Sequence, residues 1–139
     1  MNVLLWALQI VFGLYFIGVG VSHLVLPEGL PPFVEWMYDL SPTVHAITGV
    51  AEIAGGLGLI LPSLTRIAPW LTIWAALGLA SIMIPAAVWH YGRDEFTNIG
   101  VNILNAAVLG FIAYGRARLR PIQPRTRPRH AGGPRTAAG

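Results

Sequence analysis

The residues able to move a proton or hold a polar ligand are few: His23, His45 and His90, a single mid-run carboxylate at Glu52, and the amides Asn98, Asn102 and Asn105. Glu52 stands in a long apolar stretch, where a carboxylate must either take up a proton or find hydrogen-bond donors. The asparagines can supply those donors. Glu52 therefore reads in two ways, as a proton-handling or ligand-anchoring group, or as a neutral side chain that ties its own helix to the one bearing the asparagines. The histidines divide similarly. Two at equal depth on neighbouring helices could ligate haem, and His with Glu could hold a metal, but histidines near a membrane interface commonly serve as simple hydrogen-bonding groups. The sequence assigns no metal, and haem is the weaker of the cofactor readings. With no cysteine, thiolate metal sites, disulfides and a thiol nucleophile are excluded, so any redox chemistry would use a bound cofactor.

These residues need a scaffold, and composition says which solvent it faces. The 139 residues are 55% hydrophobic and 11% charged, against roughly 25% charged in a soluble domain. A bilayer core about 30 Å thick takes about 20 apolar residues per helix. Four stretches meet that length: Val3 to Leu26, Pro42 to Leu61, Ile67 to Trp89 and Phe96 to Gly115. The expectation is an all-α, polytopic four-helix transmembrane bundle over residues 1–118, followed by a disordered Arg/Pro-rich tail over 119–139. The first run lacks a basic start and a small-residue cleavage site, so it reads as a retained helix. Pro27, Pro31-Pro32, Pro62 and the Gly92-Arg93-Asp94-Glu95 turn act as breaks. Ser41 with Pro42 suits a helix start, and Asp94 is expected to cap the fourth helix.

All nine basic residues are arginine. Arg66 and the seven from Arg116 to Arg135 would share one side and Arg93 alone would take the other, which puts both termini in the cytoplasm. Because the basic residues are concentrated in the tail, nucleic acid is a poor partner; the tail is either a solvated topogenic segment or a binder of anionic headgroups. Gln9, Gly13, Phe16, Gly20 and His23 fall on one helical stripe, as do His45, Gly49, Glu52 and Gly56, with Thr48 one turn before Glu52. Under that orientation the histidines and Asn98 and Asn102 lie in the outer half, with Glu52 and Asn105 near the midplane. The result is an expected outward-opening cavity lined by Glu52, Asn102, Asn105 and His23, with His90 and His45 near its mouth. Pro85 is expected to kink the third helix, and the five tryptophans read as interfacial anchors.

The run from Phe16 to His23-Leu24, the segment Gly49-Val-Ala-Glu52-Ile-Ala-Gly-Gly-Leu-Gly-Leu-Ile-Leu-Pro62, Thr65-Arg66 and Trp89-His90 resemble the DoxX-like family over about residues 5–115. Some family sequences have Lys where this chain has His23. The resemblance implies a four-helix protein of the bacterial inner membrane, from a family named for a subunit linked to a quinol oxidase and to thiosulfate-to-quinone electron transfer. On that basis the expected role is an accessory or quinone-associated subunit of a membrane oxidoreductase complex, its cavity receiving a quinone headgroup or small sulfur compound. The other reading is a non-catalytic carrier or scaffold.

Overall fold

A computed structural model describes residues 1–125, all-helical with four helices long and apolar enough to cross a bilayer. They are α1 (Asn2–Val25), α2 (Pro42–Thr65), α3 (Leu71–Tyr91) and α4 (Phe96–Tyr114), the last continued by a π-turn over Gly115–Leu119. Outward faces are apolar and uncovered: Val3 is 82% exposed, and Ile47 and Ile84 are each 66% exposed. Lipid is the solvent such faces require, and the chain is a multi-pass membrane protein.

α2 begins as expected, with Pro42 in its first turn and the Val44 N–H donating to Ser41 Oγ at 3.3 Å. It does not stop at Pro62. Thr65 Oγ1–H donates to the Leu61 carbonyl at 2.8 Å, and the helix continues to Thr65 before Arg66 ends it with φ of 60°. Pro69 and left-handed Ala68 then occupy a turn, so α3 starts only at Leu71. Asp94 is not the cap of α4. The Glu95 N–H turns back to the His90 carbonyl at 3.1 Å, which drives Asp94 into the left-handed region, and Glu95 takes the cap position.

Two glycine pairs set how closely α1 and α2 approach. A Cβ on Gly20 would lie 2.7 Å from the Gly49 carbonyl oxygen, and one on Gly56 would lie 2.5 Å from that of Gly13. Backbone therefore meets backbone along this seam. Phe16, Leu59, Leu79, Leu109 and Ile112 fill the centre of the bundle with an apolar core. The α1–α2 connection forms a 3₁₀ segment, Pro32–Asp39, pinned at its base by Tyr38, whose hydroxyl donates to the Pro27 carbonyl at 2.8 Å.

The expected disordered tail falls partly outside the described residues. Within them, the chain after Arg120 returns to the α2–α3 turn: the Arg125 N–H donates to the Arg66 carbonyl and Arg66 Nε to the Gln123 carbonyl, both at 3.0 Å.

Candidate functional site

The polar stripes converge on a cavity of about 380 Å³ between the four helices, on the side of the core nearer the α1–α2 and α3–α4 connections. His23 from α1, Glu52 from α2, His90 from α3 and Asn102 and Asn105 from α4 all line it. Thr48, Asn98 and Pro85 do so as well, while Phe16 and Met83 form a boundary shared with the core. Of the six residues expected at the site, His45 alone stands outside the lining, directly behind His23. The α1 and α2 stripes are both buried as expected, but Gln9 sits at the far end of α1 and takes no part.

Hydrogen-bond chemistry fixes the histidine tautomers. His45 Nε2 is 2.9 Å from the Met37 carbonyl, which can only accept, so the His45 proton is on Nε2 and its Nδ1 is a lone pair. His23 Nδ1 lies 2.9 Å from that lone pair and must donate to it. With both rings neutral, His23 therefore presents a bare Nε2 acceptor, 3.9 Å from Glu52 Oε2. That gap is too long for a hydrogen bond. Glu52 is 4% exposed and its Oε2 has no hydrogen-bond partner among the described residues. The amides of α4 do not supply one; Asn102 and Asn105 instead face the cavity. Their expected role as donors to Glu52 is thus not met, because α2 and α4 stand on opposite sides of an open space. The two histidines bond to each other through Nδ1 with ring centres 5.0 Å apart, an arrangement that spends those nitrogens on one another.

Trp36 was expected to be an interfacial anchor, and it is instead a cavity residue. The 3₁₀ segment carries its indole between His23 and His90, at 6.1 and 4.8 Å between ring centres, and its Nε1–H is buried with no acceptor among the described residues. Trp89 stacks edge-on against it at 5.9 Å. The signal in the sequence was faint: one indole following a Pro-Pro pair in a connection otherwise read as a break.

The same segment is latched at its end. Arg93 Nη2 donates to Asp39 Oδ2 at 2.5 Å and Arg93 Nε to Glu95 Oε1 at 2.8 Å, while His90 Nδ1 and Glu95 Oε2 are 2.6 Å apart. Phe33, Val34 and Trp36 of this segment line the cavity, over which it lies as a lid, and Asp39, Arg93, Glu95 and His90 join that lid to the turn between α3 and α4.

A family model for the DoxX-like family matches residues 7–112, from the second turn of α1 into the last turns of α4. The chain belongs to the DoxX-like family. The match contains all six expected site residues, so the cavity lies wholly within the DoxX-like region. No curated protein and no solved structure compared with the chain matches it.

The latch has a pH dependence of defined sign. Partial burial works to raise the Glu95 carboxyl, but hydrogen bonds from Arg93, His90 and Asn98 together hold it below its ordinary value of 4.5. A depressed carboxylate stabilises the closed lid at pH above its ordinary value and ceases to do so as pH falls through the lower, folded one. The difference in emission between the native chain and Trp36→Phe should therefore stay constant from neutral pH down to that ordinary value and change only below it. In Arg93→Gln the change should begin at higher pH; identical profiles for the two would remove the latch.

Proposed function

We propose that this chain is a quinone-associated accessory subunit of a membrane redox system, with the cavity open towards the outer face of a bacterial inner membrane. The observation that carries the reading is the buried Glu52 Oε2 without a partner, set in an aromatic-walled cavity opposite other uncommitted polar groups. A quinone headgroup is a flat ring with acceptors at opposite edges, and the residues present suit it. Trp36 Nε1–H and the amides of Asn102 and Asn105 offer donors, His23 Nε2 offers an acceptor, and Trp36, Trp89 and Phe16 offer ring faces. A bound quinone would supply a two-electron, two-proton couple. Glu52 can hold a proton towards the cavity, and His23 can receive one at Nε2.

A quinone also needs a path for its apolar tail. Tyr15 on α1 and Val101 on α4 line the cavity yet are 44% and 43% exposed, which supports an opening between these two helices towards lipid. The excess of arginine around the α2–α3 turn and after α4 supports cytoplasmic termini.

Trp36 provides a direct readout, because a quinone beside an indole quenches its emission. Titration of the purified chain with a short-tailed quinone should give saturable quenching that Trp36→Phe reduces to the part contributed by Trp89. Glu52→Leu, which leaves no donor at that position, should weaken the titration about tenfold, the equivalent of one lost hydrogen bond. Linear, unsaturable quenching of equal size in all three proteins would rule the site out.

A further inference from the structure

A second polar cluster lies at the opposite end of the bundle, beyond the apolar core. Arg116 is on the π-turn that ends α4 and is 3% exposed. Among the described residues only neutral groups meet its charge. Nε donates to Gln9 Oε1, Nη1 donates to Asn2 Oδ1 at 2.8 Å and to the Arg120 carbonyl at 3.3 Å, and the Trp6 ring lies 5.1 Å away. Gln9 is fixed in turn by donating to the Leu59 carbonyl at 2.6 Å. The remaining nitrogen, Nη2, is buried with no acceptor among the described residues.

A guanidinium cannot relieve this by giving up its proton, so its charge calls for an anion. No Asp or Glu of the chain is placed to provide one. Glu28, Glu35, Asp39, Asp94 and Glu95 belong to the connections at the cavity end, and Glu52 faces the cavity itself. Further positive charge gathers instead. Arg66 and Arg120 border a groove of about 470 Å³ whose walls include Asn2 and Trp6, both partners of Arg116. Leu64, 63% exposed, lines the same groove and continues onto the lipid-facing surface of α2.

We propose that this groove, with Arg66 and Arg120 at its rim and Arg116 buried behind Asn2 and Trp6, binds the phosphodiester headgroup of an anionic phospholipid. Arginine forks suit phosphate oxygens, and the adjoining apolar surface suits acyl chains, which a free phosphate ion would leave unused. The site is separate from the cavity and stands or falls without it.

Native mass spectrometry of the full chain, released from detergent with equimolar phosphatidylglycerol and phosphatidylcholine, tests the assignment. The native chain should retain phosphatidylglycerol in preference. Arg66→Gln and Arg120→Gln, both at surface positions, should each reduce that preference about fivefold and the double variant about twenty-five-fold. Their melting temperatures without added lipid should match the native chain, which separates lost binding from lost folding. Equal retention of the two lipids, or a preference that survives in the double variant, would overturn the proposal. So would displacement of the lipid by millimolar inorganic phosphate, which would identify the occupant as the free ion.

Discussion

Gly56→Leu should leave no folded bundle. A Cβ at position 56 would sit 2.5 Å from the Gly13 carbonyl oxygen and 2.8 Å from Ile17 Cγ1, and the first of these is backbone that cannot rotate away. Accommodating even that one carbon forces α1 and α2 apart, and the branched remainder of leucine widens the gap. Ordinary overpacking costs about 1–3 kcal/mol, and a clash against backbone on both helices should exceed it. Separation would also break the seam at Gly20 and Gly49 and draw His23 away from His45. The measurement is gel filtration and thermal melting in detergent, where Gly56→Leu should give aggregated material with no cooperative transition. Gly78→Ala, at a position with nothing within 4 Å, is the control and should melt at or slightly above the native temperature. A cooperative, monodisperse Gly56→Leu protein would show that the close approach of α1 and α2 is dispensable.

The second large effect is expected from a residue that never touches the cavity. His45→Phe removes both the acceptor for His23 Nδ1 and the donor to the Met37 carbonyl. His23 is then free to move its proton to Nε2, turning an acceptor at the cavity wall into a donor, and the lid loses an anchor one residue from Trp36. His45 is thus a positioning residue, and its signature is spectroscopic as well as functional. In the native protein the ¹⁵N shifts of His23 should mark Nδ1 as protonated and Nε2 as bare. In His45→Phe the two should exchange or average, and quinone affinity should fall about fivefold because the segment carrying Trp36 loses its hydrogen bond at Met37. An unchanged His23 tautomer in the variant would contradict the chain of bonds from Met37 to the cavity.

How much of this was legible beforehand follows from the range of each interaction. The stripes on α1 and α2 could be read because both depend on helical period alone, and Gly13, Gly20, Gly49 and Gly56 do pack face to face. Glu52, His23, Asn102 and Asn105 could be grouped because cost in hydrocarbon sends polar groups inward. Their partners could not. Whether Asn105 reaches Glu52 or faces it across a space depends on helix separation, which periodicity does not encode. Trp36 was hidden for another reason: a break of Pro and Gly residues says that a helix ends, not where the intervening chain folds, and the lid is held by Asp39 and His45, distant from Trp36 in kind though near in sequence. Arg116 was read as one more arginine of a basic tail. Continued past Gly115, the inward stripe of Asn102, Asn105, Leu109 and Ile112 reaches Arg116, whereas Arg118 falls on the opposite face and Arg120 lies beyond the last turn.

The central claim is that the cavity beneath Trp36 holds a quinone between Glu52, His23 and the α4 amides. The most direct measurement is mass spectrometry of small molecules extracted from gently purified native protein and from Glu52→Leu prepared in parallel. The native chain should carry one quinone species at a substantial fraction of one per chain, and Glu52→Leu should carry about a tenth of it. Equal quinone in the two proteins, or none above that in an unrelated membrane protein from the same preparation, would contradict the account.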